Sequence, residues 1–354
     1  MDSIREDLKT VLNNRTTLRP KAGDWVEVRS APEILATLDD DGKVDGLPFM
    51  PEMLQFAGQR FQVTARADKT CDTISQTGGR RMLNTIHLET RCDGSAHGGC
   101  QASCLLFWKN DWLKPAGERS VAGEGNRPEA GRFDLAQLEA ATIKRGSAMD
   151  SEVRYSCQAT ELLKATTPLR WWDIRQYWRD WRSGNVRLAR LLRVFSMAVF
   201  NAVQRRRGGA YGFPHIPART ARVAADQKLG LGEGEMVRVK NVQDIVNTLD
   251  DNSKNRGLWF DAEMVPYCGG TYRVQQRVNQ IIDEKTGKML HFKNECIMLE
   301  GVVCQSEYSR GRLGCPRRIA SYWREAWLER ADACNEMMYK EAEGKQAEIM
   351  RVGA

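Results

Sequence analysis

Ten cysteines and only four histidines carry most of the reactive chemistry this sequence could offer. The stretch CDGSAHGGCQASC places Cys92, Cys100 and Cys104 at C-x7-C-x3-C spacing, with Cys71 upstream. A second group, Cys268, Cys296, Cys304 and Cys315, lies near the C-terminal end, while Cys157 and Cys334 stand outside both groups. Four thiolates suit the tetrahedral shell of a structural zinc, which is borderline-soft and brings no geometric demand of its own. The Cys92 loop has three glycines and no large apolar side chain, so a metal clamp would supply the order that burial cannot. The expectation is therefore zinc held by Cys92, Cys100 and Cys104, with Cys71 as fourth ligand, and the other four cysteines as the matching set. The competing reading is buried apolar thiols, for which Cys296 in NECIML is the best case. A third is reactive or redox cysteines.

Little else suggests catalysis. His87, His97, His215 and His291 do not pair with each other or with carboxylates at helix-face spacing. There is no GxSxG, no P-loop and no GxGxxG following a strand; GLGEGE, from Gly230, precedes one. Asp39-Asp40-Asp41 and Asp250-Asp251 read as solvated turns in preference to cation sites. The leaning is against an enzyme, with a metal-dependent enzyme using one catalytic Cys cluster kept as an alternative.

The elements that must position these cysteines occur twice. GDWVEVRSAPEILATLDDDGKVDGLPFMPEM, from Gly23, aligns with GEMVRVKNVQDIVNTLDDNSKNRGLWFDAEM, from Gly234, at a constant offset of 211. Cys92 then matches Cys304, and Cys100, Trp108 and Trp112 match Cys315, Trp323 and Trp327 at slightly larger offsets. Such internal repetition means two copies of one structural unit. The division expected is an N-terminal helix (1–20), unit one (21–115), a linker and connector (116–232), unit two (233–330) and a C-terminal helix (331–354). WVEVR alternates like a strand, and Ser30 with Glu33 forms a capping box. Lys285-Thr286-Gly287 turns a hairpin in unit two. FWKNDWL and SYWREAWL read as aromatic helices, placing Cys100 and Cys104 at a helix start.

A strand opening GxxVxV, a long first loop and a Gly-marked turn into paired strands resemble small barrels of the Src-homology-3 kind, such as KOW modules. The resemblance implies small β-barrels; with the repeat and the helical segments, the fold expected is α+β, two homologous small β-barrels each closed by an aromatic helix and joined by a helical connector. The resemblance also implies a binding module without fixed chemistry. CDGSAH is similar to the CDGSH iron–sulfur motif, but Ala96 interrupts it and the upstream C-x-C pair is missing.

The net charge of +7 is concentrated. From Arg170 to Arg222 there are twelve Arg and two Asp. Trp171, Ile174, Trp178 and Trp181 fall on one helical face, and a second helix is expected from Val186 to about Arg206. The leading expectation packs these apolar faces between the two barrels. The alternatives are a membrane surface or a nucleic acid, with Arg190, Arg193, Arg205, Arg206 and Arg207 on phosphate. The N-terminus does not read as a secretory signal, and Leu191–Val203 is too short to span a bilayer, which takes ~20 residues. The expected location is cytoplasmic, at the membrane periphery if the connector binds lipid. The function expected is a non-enzymatic two-barrel scaffold or accessory protein with metal- or thiol-stabilised loops and a protein partner; the alternative is a nucleic-acid-binding regulator.

Overall fold

A computed structural model describes residues 18–117, 133–144, 152–208, 212–309 and 311–331. The expected terminal helices, most of the glycine-rich linker and Cys334 lie outside the described residues. Unit one runs β1 (Trp25–Val28), α1 (Ala31–Leu35), the short hairpin Lys43–Val44 and Leu47–Pro48, a 3-10 turn Pro51–Phe56, β2 (Arg60–Gln62) and β3 (Ala65–Arg66). It continues with β4 (Lys69–Cys71), β5 (Gly79–Arg81), β6 (Thr85–His87), β7 (Trp108–Lys109), a 3-10 turn Asn110–Trp112 and β8 (Leu113–Pro115). The connector holds α2 (Leu135–Ala140), β9 (Thr167–Leu169), α3 (Arg175–Arg182) and α4 (Leu188–Arg206). Unit two repeats the path with β10 (Met236–Val239), α5 (Val242–Asn247), the hairpin Lys254–Asn255 and Leu258–Trp259, a 3-10 turn Ala262–Tyr267 and β11 (Thr271–Arg277). Then come β12 (Gln280–Ile282), β13 (Met289–His291), β14 (Ile297–Val303), β15 (Ala320–Trp323), a 3-10 turn Glu325–Trp327 and β16 (Leu328–Arg330).

The repeat in sequence is thus a repeat in structure, down to the turns. Asp45-Gly46 and Arg256-Gly257 occupy the same two-residue hairpin loop, all four with positive φ. That is the turn whose twist matches paired strands, and glycine at its second position relieves the strain. Asp39 Oδ1 accepts from the backbone N–H of Asp41 and Lys43, and Asp250 Oδ1 from those of Asn252 and Lys254. The acidic runs are turns, as expected. Glu33 Oε2 accepts from the Ser30 backbone N–H at 2.8 Å, the carboxylate half of the capping box.

Unit two forms a five-stranded antiparallel sheet in the order β15-β14-β11-β10-β16. Register shifts in β11–β14 and β14–β15 curl it, as bulges do. In unit one the same path is broken after β2, leaving β8-β1-β2 and β3-β6-β7. The fold is α+β, as expected, but the sheets are curled and open: no pairing among the described residues joins β15 to β16 or β7 to β8.

The aromatic closing helices are not helices. Each aromatic segment is strand, 3-10 turn, strand: β7 pairs β6 while β8 pairs β1, and β15 pairs β14 while β16 pairs β10. The four-residue spacing of Trp108 to Trp112 and Trp323 to Trp327 imitates a helix. It serves instead to bury both indoles from a chain hopping between two sheet edges, and all four are fully buried. Cys100 and Cys104 therefore precede a strand.

Phe133, Leu138, Leu162 and Ala165 join the core of unit one, so residues 133–144 and 152–169 pack on that unit instead of linking freely. Glu161, its side chain buried, gathers Lys43, Lys144 and Lys164 at 3.4, 2.9 and 2.8 Å. The second connector helix appears where expected. The first is shorter, and its orientation overturns the expected packing. α3 buries Gln176, Tyr177 and Asp180. Trp171, Trp172, Ile174, Trp178 and Trp181 are exposed, Ile174 by 78% and Trp171 by 62%. The cause is a buried ion pair: Asp180 Oδ2 lies 2.5 Å from Lys69 Nζ, which also donates to Leu313 O at 2.7 Å. Among the described residues, no helix is long and apolar enough to cross a membrane.

Candidate functional site

The two units exchange loops. The Cys loop of unit one lies on the β12–β13 hairpin of unit two: Gln101 N–H donates to Gln280 O at 3.0 Å, Gln280 Nε2 to Gly98 O at 2.9 Å, and Ile282 N–H to Cys100 Sγ at 3.3 Å. The Cys loop of unit two lies on the β4–β5 hairpin of unit one, with Lys69 donating to Leu313 O and Arg317 Nη1 to Thr73 Oγ1 at 2.8 Å. Cys71 and Ile282 are equivalent in the repeat, as are Cys100 and Cys315. The junctions are thus related by an approximate two-fold, as in an isologous dimer.

A buried glutamate anchors each Cys loop. Glu52 Oε1 takes His97 Nδ1 at 2.6 Å and the Ala96 N–H at 3.2 Å, and lies 3.9 Å from the Cys92 thiol. Glu263 takes the N–H groups of Glu307, Tyr308 and Ser309 at 3.2, 2.7 and 2.8 Å, and the Ser309 hydroxyl at 3.0 Å. Sequence reasoning missed both glutamates. The signal was present, since PEM and AEM sit at the same offset of 211.

These anchors gather thiols unequally. Cys92, Cys100, Cys104 and Cys157 line one cavity of about 50 Å³, with His97 and Arg317 beside them. Cys157, which spacing left outside the set, is present, and Cys71 is not. Burial, reinforced by the Glu52 charge, pushes the Cys92 thiol well up; burial pushes Cys104 up to about 12 and Cys157 to about 11. His97 is engaged on both nitrogens, by Glu52 and by Ser156 O at 3.0 Å, which removes it as a ligand. The second predicted set is split: Cys304 and Cys315 line one cavity, and the other two stand apart. Cys268 packs on the main core of unit two and Cys296 is buried in a separate cluster with Val278 and Met298. Cys304 faces Ser306 Oγ at 3.4 Å, and the Cys315 thiol hydrogen-bonds Cys71. Among the described residues, no three His, Cys, Asp or Glu side chains stand where they would hold a metal ion.

The other feature is the connector face. Arg170 stacks 5.4 Å from the Trp172 ring and Arg182 5.2 Å from Trp178. α4 adds exposed Leu188, Leu192, Val199, Phe200 and Val203. An apolar cleft of about 640 Å³ runs between Trp171, Tyr177, Phe195, Val199 and Val203, with Arg205 and Arg206 at its rim. Of the arginines assigned to phosphate, Arg190 and Arg193 are held by Glu307 at 2.7 and 2.6 Å, while Arg205, Arg206 and Arg207 are exposed at the end of α4. Set against models of known protein families and against curated protein sequences, the chain matches none.

Proposed function

We propose that this chain is a non-enzymatic binding protein: two Src-homology-3-like units, interlocked by their thiol-bearing loops, that present the connector face to an anionic lipid surface. The observation that carries this reading is the inverted burial of α3, which hides Gln176 and Asp180 and exposes four tryptophans around it. A contiguous apolar face of this size is ordinarily covered by something. Trp and aliphatic residues ringed by arginine match the headgroup–acyl boundary, where indoles settle and arginines meet phosphate. The cleft with Arg205 and Arg206 at its rim suits an acyl chain below an anionic head. Nucleic acid is the weaker reading, because Arg190 and Arg193 share the Glu307 carboxylate, which offsets one of their two charges, and exposed aliphatics add nothing to base stacking. The small-barrel reading is supported by the strand order, with consecutive edge strands joined by a 3-10 turn.

The test is co-sedimentation with phosphatidylcholine vesicles, with and without phosphatidylglycerol. Binding should require the anionic lipid, weaken with added salt, and fall at least about tenfold when Trp171, Trp172, Trp178 and Trp181 are changed together to alanine. Equal binding to both vesicle types, or tighter binding to single-stranded RNA, overturns it.

The four thiols of unit one that share a cavity, Cys92, Cys100, Cys104 and Cys157, are read as buried apolar thiols in place of zinc ligands, because no three of them stand where they would hold a metal ion.

A further inference from the structure

Two segments from different units run side by side in a fixed register. Lys69 donates to Leu313 O, and Arg317 donates to Thr73 Oγ1. Both pairs are 244 residues apart, and so are Cys71 and Cys315, which lie midway between them. Both cysteines are buried, and their thiols hydrogen-bond each other. At the equivalent junction Cys100 meets the N–H of Ile282, so the residue facing it from the other unit is not a cysteine. One of two related junctions therefore carries a thiol pair. The pair is approached from the Cys315 side: Cys315 and Cys304, but not Cys71, line a cavity of about 290 Å³ between α4 and the Cys loop of unit two, walled by Arg190, Leu191 and Val194.

We propose that Cys71 and Cys315 form an oxidation site at which a small hydroperoxide closes a reversible disulfide between the two units. The thiolate of the pair attacks one peroxide oxygen. An S–O bond forms, the O–O bond breaks, and the departing alkoxide or hydroxide takes a proton from water. The second thiol then attacks the sulfenic sulfur; the S–S bond forms and hydroxide leaves with that thiol's proton as water. Two thiols lose two electrons and two protons, and one hydroperoxide becomes an alcohol and water. The surroundings favour the first step. The hydrogen bond from Cys315 draws the Cys71 thiol down to about 6 against the pull of burial, and the buried Arg317 with Arg312 adds positive charge. The proton retained by the pair stays on Cys315, whose own release is pushed up. Thiolates react with peroxide where neutral buried thiols do not.

The experiment treats the full chain with limiting hydrogen peroxide and maps disulfides by mass spectrometry without reduction. The Cys71–Cys315 crosslink should form at least about tenfold faster than oxidation of any other cysteine, and dithiothreitol should reverse it. In Cys71→Ser the crosslink is lost and peroxide oxidation at Cys315 slows toward the rate of the other buried thiols. Wild-type mapping decides the matter even if that variant does not fold. Oxidation of Cys92, Cys104 or Cys157 ahead of the pair, or Cys71 and Cys315 persisting as thiols while others oxidise, overturns the proposal.

Discussion

Glu52 and Glu263 stand at the same point of the two units, each in the 3-10 turn before the second long strand, and each receives the loop that follows the shared cysteine. The partners differ. Glu52 takes an imidazole and one N–H, whereas Glu263 takes three consecutive N–H groups and a hydroxyl. A carboxylate among converging N–H donors is a self-sufficient anchor. Glu263→Ala leaves those buried donors unpaired and should cost about 3 kcal/mol, at the upper end for a charged acceptor. Glu52→Ala should cost less, about 1–2 kcal/mol, because His97 keeps its bond to Ser156 O. Urea unfolding of each variant measures the difference, and equal costs would refute the distinction.

The four thiols that share one cavity are expected to be free of metal. Elemental analysis of protein purified without added metal should find no zinc, because no three of these side chains stand where they would hold the ion. Burial holds Cys92, Cys104 and Cys157 protonated, so they should react with a thiol reagent only after denaturation. Near one zinc per chain, lost in Cys157→Ser and kept in Cys71→Ser, refutes this reading.

His87 gives a pH signature. It is fully buried, its Nδ1 lies 2.8 Å from Leu106 O, and its ring sits 4.6 Å from Phe107. Burial, partly offset by the Leu106 carbonyl, lowers its pKa from 6.5 to about 4. A depressed histidine pKa means that the unfolded chain binds the proton first. Stability is therefore fully present above pH 6.5, falls as pH drops from 6.5 toward 4, and levels off below. The loss should be about 3 kcal/mol over that window. Thermal midpoints of His87→Asn should be lower throughout but should lack most of this slope. A slope equal to wild type would assign the effect to other groups.

What could be read from the sequence follows the range of each interaction. The repeat, the Asp-Gly turns, the capping box and the hairpin at Lys285–Gly287 are set by residues within a few positions of one another. The strand–turn–strand at Trp108–Trp112 was misread because a four-residue spacing of buried aromatics suits a helix and a sheet edge equally. The site needed contacts between distant segments. Cys157 reaches the Cys92 loop only because Gln158 bonds the N–H and carbonyl of Phe107, at 2.9 and 2.8 Å. Cys71 reaches Cys315 only because the two units exchange loops.

The inverted helix yields the sharpest stability contrast. α3 is held by Asp180, which bonds Lys69 in a buried ion pair, and by Tyr177, whose ring packs 4.6 Å from Phe195 and 4.8 Å from Lys69 Nζ. Asp180→Ala leaves a lysine whose side chain is 5% exposed without its counter-charge and should cost about 3–5 kcal/mol. Trp178→Ala and Trp181→Ala, which would be among the most damaging substitutions if these indoles were core, should change stability by no more than about 0.5 kcal/mol each. Both should still weaken vesicle binding. Denaturant midpoints decide the first point: a loss of several kcal/mol on removing either tryptophan would mean that the face is packed against the protein and not offered to a membrane.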